Sequence, residues 1–304
     1  MRISSNTSAI NSIYNLQKGQ ATFNRLTELT TSEQNVNRPS DDPTATSTLL
    51  NIGDTLKAID KYSTNITKAT TFLTITNNAL TGISDTISQA KELVASISDG
   101  SDSATERQSV HDQLVSLKKQ IIDYANTQSG DNTYVFGGTS NSTAPFSYTS
   151  NSYGGDGNQS QVEIAENSYQ SLTVTGDRLL KGAGSNPSYG STDILQTLDN
   201  LISAVGDSTT ASDATAIQQG AKDLEAGASQ INNAQIDVAA RMKRLETMAT
   251  MNTNSKNTLE NVVSDIQNVD LTTVGVQLSQ QQSAYEAALA ATAKISSLSL
   301  LDYL

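Results

Sequence analysis

Apolar residues recur at seven-residue steps along the first third of the chain, from Ile52 through Ile59, Ile66, Leu73, Leu80 and Ile87 to Val94. An unbroken stripe of leucines and β-branched aliphatics at that interval is a helix seam of the coiled-coil kind. Leu49, Leu56, Ile83, Ala90 and Ile97 flank the stripe and widen it. The segment from about Ala45 to Ser98 therefore reads as one helix, roughly 80 Å long at the ordinary rise per residue. Gly53 and Gly82 weaken it by about 1 kcal/mol each relative to Ala. Burial of the stripe, at about 1.5–3 kcal/mol per large side chain, outweighs that loss. Asp99-Gly100 supplies a stop. Ser103 to Glu106 then forms a capping box for a second helix reaching about Gln128, with Val110, Leu114, Leu117, Ile121 and Tyr124 on its inner face.

The period changes in the middle. Asn132 to Gly138 reads as a short β-like run stopped by a Gly pair, and Ser140 to Gly157 as hairpins and loops rich in Ser, Asn, Gly and Tyr. Gln161–Ala165 and Ser171–Thr175 alternate polar with apolar, with Gly176-Asp177 as a turn, and Lys181 to Gly190 reads as a linker. Helix resumes at Ser191, with Ile194, Leu195, Leu198, Leu201, Ile202 and Val205 on one face, and breaks at Gly206-Asp207. A second long helix then carries Ile217, Leu224, Ile231, Val238, Leu245, Leu259, Val263 and Ile266, its apolar face interrupted by Gln235, Asn252 and Lys256.

The two ends differ in quality. Ile10, Ile13, Leu16, Phe23, Leu26 and Leu29 form a narrow stripe among Ser, Thr, Asn and Gln, which are mediocre helix formers. After a hinge at Asn268–Asp270, with Asp270 as a cap, a last helix carries Val274, Leu278, Tyr285, Leu289 and Ile295. Two such segments are natural partners, each marginal alone. We expect them to be disordered in the free chain and to order on assembly.

The fold class is thus mainly α with a small β insert. Long helices pair into an antiparallel coiled-coil rod with the β module at its far end. The organisation expected is a terminal coiled-coil domain of residues 1–44 with 268–304, a helical domain of 45–129 with 191–267, and an insert of 130–190.

Composition narrows the function. A net charge of -12 disfavours nucleic acid and anionic membrane, and the absence of Cys removes disulfides, thiol catalysis and thiolate metal sites. The opening residues are polar, with no continuous apolar core of a cleaved signal, and no stretch approaches the length of a membrane span. The sole histidine, His111, lies beside Val110 and Asp112 and reads as solvent-facing rather than catalytic. Asn37 to Asp42 lacks the spacing and closing Glu of a calcium loop. Pro39 and Pro43 instead break the chain between helices, and Asp41 or Asp42 caps the next one and pairs with Arg38. The glycine pairs near 137 and 154 lack the setting of a phosphate loop. The terminal stripes have uncharged polar faces, which favours partner helices over a membrane surface.

Several stretches, in order, resemble the flagellin superfamily, and within it the proteins that join hook to filament. They are the opening Met1-Arg2-Ile3-Ser4, the loop Asn37-Arg38-Pro39-Ser40-Asp41-Asp42-Pro43-Thr44-Ala45, and the run Tyr134-Val135-Phe136-Gly137-Gly138. Gly176-Asp177-Arg178-Leu179, Arg241-Met242-Lys243-Arg244-Leu245-Glu246 and the closing Ser299-Leu300-Leu301-Asp302-Tyr303-Leu304 continue the likeness. Thr31-Ser32-Glu33-Gln34 stands where the family often has Gly-Lys. The resemblance implies a structural subunit, not an enzyme, with no cofactor, metal or small-molecule substrate. It implies export through the flagellar type III apparatus and an extracellular place at the hook-filament junction. It further implies a ring of copies of this chain, with hook-associated protein 1 below, flagellin above, and a cytosolic export chaperone on the C-terminal helix beforehand. Subunit contacts are expected at Ile10, Ile13, Leu16, Phe23, Leu26, Arg38, Asp41, Asp42, Leu278, Tyr285, Leu289 and Ile295. The competing readings are a flagellin, the bulk filament subunit, and a secreted enzyme or binding module whose activity lies in the insert.

Overall fold

In the computed structural model the described residues are 2–97, 103–183, 188–206 and 212–301. The side chains of 2–6, 8, 9 and 295–301 are outside the description, and with them that of Ile295. The expected stop at Asp99-Gly100 and the closing Asp302-Tyr303-Leu304 also lie outside the described residues.

Seven helices and two strands are described: α1 (Arg2–Ser32), α2 (Pro43–Ser96), α3 (Ala104–Ala125), β1 (Gln161–Ala165), β2 (Ser168–Ser171), α4 (Gly176–Leu180), α5 (Ile194–Val205), α6 (Ala214–Gln267) and α7 (Leu271–Leu301). The chain divides into two compact units, residues 1–58 with 254–304 and residues 59–253.

In the larger unit the heptad stripe of α2 forms the core. Exposure falls from 8% at Ile59 and 4% at Ile66 to zero at Leu73, Leu80, Ile87 and Val94. From α6, Ile217, Leu224, Ile231, Val238 and Leu245 join the same core, and α3 adds Leu114 and Ile121. α2 and α6 run antiparallel, since Lys91 meets Glu225 (3.8 Å) and Thr81 meets Gln235 (3.4 Å). The capping box on α3 forms as expected. Ser103 Oγ accepts the Glu106 amide, and the Glu106 carboxylate accepts the Ser103 amide at 2.8 Å.

Gly82 has a packing role that composition hides. A methyl group built on it would come within 2.5 Å of the Tyr124 ring, so the missing side chain lets α3 approach α2.

The insert departs from its expected outline. Val135 and Phe136 are buried, but residues 132–138 form turns rather than a strand. One antiparallel bridge survives there, Tyr134 with Gln128, made by Val135 N–H to Thr127 O (3.0 Å) and Ser129 N–H to Thr133 O (2.8 Å), but the Tyr134 amide turns to the Asn141 carbonyl (2.9 Å) and the pairing extends no further. Between 140 and 157 the pairing is a single bridge, Phe146 with Tyr153. The hairpin that does form joins β1 to β2 across Glu166-Asn167, with Asn167 left-handed at φ 56°. β2 is therefore Ser168–Ser171, not Ser171–Thr175. Thr173 turns its hydroxyl to the Ser160 amide (2.9 Å), and Gly176-Asp177 opens α4 instead of closing a turn.

In the smaller unit α7 packs on α1. Gln281 Nε2 donates to the Gly19 carbonyl (3.1 Å), and the pair is closed at its base by Asn35 N–H to Gln267 O (2.7 Å) and Val269 N–H to Glu33 O (3.3 Å). Asp270 caps α7 as expected, accepting the amides of Thr272 (2.9 Å) and Thr273 (3.3 Å). The core here is small, with Leu26, Val36, Ile52 and Val274 buried.

Candidate assembly surface

The loop between α1 and α2 begins where α1 ends. Glu33 takes a left-handed conformation (φ 57°) and its amide still reaches the Leu29 carbonyl (3.0 Å). A glycine would occupy that position without the Cβ penalty. The chain then reverses around Asp41. Its Oδ2 accepts the amides of Arg38 (3.0 Å) and Asn37 (3.2 Å) and lies 3.1 Å from the Arg25 guanidinium. Desolvation works against ionisation of this carboxyl, but the two amides and the Arg25 charge outweigh it and hold Asp41 below the usual carboxylate range. Asp42 caps α2, its Oδ1 accepting the amides of Thr44 and Ala45, each at 2.9 Å.

Arg38 does not use its guanidinium on either aspartate. That group reaches back to Glu28 (3.0 Å), while the ion pair of Asp41 is with Arg25. The expected pairing of Arg38 with an aspartate is thus corrected: only its backbone amide meets Asp41. The reason is geometric, since Asp41 turns inward under the loop whereas the Arg38 side chain stays 67% exposed. Sequence reading missed Arg25 and Glu28, although their i,i+3 spacing one turn before the loop marks them as neighbours of one another.

Along α1 and α7 the expected contact residues separate by depth. Leu26 is buried, and Leu16, Phe23, Leu278 and Tyr285 are half-buried in the pair. Ile10 (59%), Ile13 (53%) and Leu289 (45%) remain largely in solvent, joined by Tyr14 (64%) and Val276 (55%), which the sequence reading did not select. One helix pair therefore leaves these apolar side chains in water.

Among the described residues no cluster of three or more His, Cys, Asp or Glu could hold a metal ion, and the loop aspartates are committed to protein donors. His111 is half-covered rather than fully solvent-facing, with Nδ1 3.2 Å from the Asp112 carboxylate. No described helix is long and apolar enough to cross a membrane. In the insert, hydroxyls and amides tie loops together. Tyr153 donates to the carbonyl of Phe136 (2.8 Å), and burial raises its pKa well above the ordinary phenol value. Asp156 accepts the Thr139 hydroxyl and amide and the Asn158 amide, and this holds its pKa down at about 2. Gly138, at φ 71°, faces Asp156 so closely that no side chain fits, which accounts for the second glycine of the Tyr134–Gly138 run.

Residues 3–141 match the family described as the bacterial flagellin N-terminal helical region. More narrowly, the chain is 24% identical to flagellar hook-associated protein 3 of Escherichia coli (strain K12) over 316 residues, covering 99% of both. Among solved structures it is similar to that of a putative flagellar hook-associated protein from Vibrio parahaemolyticus (TM-score 0.66, 21% identity, 75% of this chain and 100% of that one). It is also similar to FlgL from Xanthomonas campestris (TM-score 0.60, 19% identity, 70% and 99%). These structures share the fold. The resemblance drawn from the sequence therefore holds, for the flagellin-like N-terminal region and for hook-associated protein 3.

Proposed function

We propose that this chain is a structural, non-enzymatic subunit of the bacterial flagellum at the junction between hook and filament. The observation that carries the reading is the extent of the similarity to hook-associated protein 3: it runs through 99% of both chains, helical ends and insert together. The partly covered α1/α7 pair supports it, since Ile10, Ile13 and Leu289 need a neighbouring chain to leave water. On this reading copies of the chain form a ring whose contacts include Ile10, Ile13, Leu16, Phe23, Leu26, Leu278, Tyr285, Leu289, Ile295 and the loop of Arg38, Asp41 and Asp42. Hook-associated protein 1 lies on one side and flagellin on the other. The chain leaves the cell by the flagellar type III route after a chaperone has held α7, and its ends gain their final order on assembly.

Flagellin itself is the second reading, favoured by the match of residues 3–141 to the flagellin N-terminal region. Deleting the gene in its host separates the two. Bare hooks with flagellin in the medium are the expected result. Bare hooks with no flagellin anywhere would assign the chain to the filament, and intact filaments would refute both readings.

A further inference from the structure

A two-stranded hairpin is marginal alone, and each outer edge is a row of unpaired carbonyls and amides. Leu172 N–H donates inward to Ser160 O (2.8 Å), so strand alternation turns the carbonyls of Tyr169, Ser171 and Thr173 outward from β2. All three meet arginines of α6. Arg241 Nη1 reaches Ser171 O (3.3 Å) and Thr173 O (3.2 Å), and Arg244 Nη1 reaches Tyr169 O (3.3 Å). Arg244 also holds the side chains of Gln170 (3.1 Å) and Ser168 (3.2 Å). On the other edge Asn65 of α2 donates to the outward carbonyl of Glu163 (2.9 Å). The Arg241 fork is set in advance: Asp237, one turn earlier, takes its Nη2 at 2.7 Å and also accepts the Tyr189 hydroxyl at 2.7 Å.

We propose that Arg241 and Arg244 stand in for a third strand, so that the β1/β2 hairpin orders only when α6 is docked against the core and is released when those two side chains are lost. Guanidinium suits the role because it presents several donors in one rigid plane, which an ammonium does not. The hairpin alone cannot supply this order. Its strands are five and four residues long, and all the outward carbonyls named above take their donors from helices far away in sequence. The inference does not depend on the flagellar reading.

Hydrogen exchange by mass spectrometry on the full chain tests it. In R241Q/R244Q, peptides covering 161–172 should exchange about ten-fold faster or more, while peptides from 66–94 and 217–238 keep their wild-type protection. Wild-type exchange across 161–172 would overturn the proposal. If the double variant also loosens the helices, R244Q decides, because Arg244 is exposed and outside the core. It should release 168–171 selectively, and an unchanged rate there overturns the proposal as well. R244K should restore only part of the protection; complete rescue would assign the effect to charge and overturn the strand role.

Discussion

Gly53 and Gly82 lie on the same helix, and helix propensity treats them alike: replacing either by Ala should stabilise the chain by about 0.5–1 kcal/mol. The structure separates them. A methyl group at Gly53 meets nothing within 4 Å, whereas at Gly82 it comes within 2.5 Å of Tyr124 Cε1 and Cζ. Tyr124 is half-buried against the core, so its ring moves only by displacing α3 or its own rotamer. Overpacking of that kind costs about 1–3 kcal/mol. Set against the propensity gain, Gly82→Ala should destabilise by about 1 kcal/mol while Gly53→Ala stabilises by nearly as much. With a urea slope of about 2–3 kcal/mol/M, each shift is roughly 0.3–0.5 M in the unfolding midpoint, readable by far-ultraviolet circular dichroism. In a Tyr124→Ala background the Gly82→Ala change should reverse sign, because the obstacle is gone. A Gly82→Ala protein as stable as Gly53→Ala, with Tyr124 intact, would refute the close-approach argument.

Other expectations follow from the loop and the insert. Glu33→Gly should raise stability by about 1 kcal/mol by relieving the left-handed residue, seen as a higher melting temperature; a lower one would show that the Glu33 side chain contributes more than its backbone costs. Asp42→Ala removes the acceptor for two amides and should cost about 1 kcal/mol at the start of α2, with faster exchange of the first-turn amides as the readout. Asp156 has a folded pKa of about 2, below its unfolded value near 4. Its contribution is therefore complete above about pH 4 and fades as pH falls towards 2. Asp156→Asn should flatten that part of the stability-pH curve, and a curve identical to wild type would reject the assignment.

Local sequence settled most of the helical frame. The heptad from Ile52 to Val94 alone implied a helix of this length, and each of its members is buried at 9% exposure or less. Ser103, the Asp41-Asp42 pair and Asp270 announced helix starts, with Asp42 the member of the pair that caps, because a cap bonds amides only two or three residues away, a distance that sequence encodes directly. The middle was less legible. Alternation in Ser171–Thr175 matched a strand, but Asn167 placed the turn earlier, and pairing register depends on the partner rather than on either strand alone. The loop showed the same limit. Arg38, Asp41 and Asp42 could be selected from their neighbourhood of prolines, yet which cation met which carboxylate depended on Arg25 and Glu28 a helix turn away. Polar residues in the helices were the least readable. Gln235, Asn252 and Lys256 were the interruptions that periodicity picked out, yet it is Gln230 and Arg241 that are buried while bonding backbone from elements 38 to 70 positions distant. The chain's periodicity and caps thus dictated its helices, since those are interactions among near neighbours. Tertiary structure alone decided how the insert is held and how the loop charges pair, since a hydrogen bond to a distant carbonyl leaves no periodic trace in the sequence.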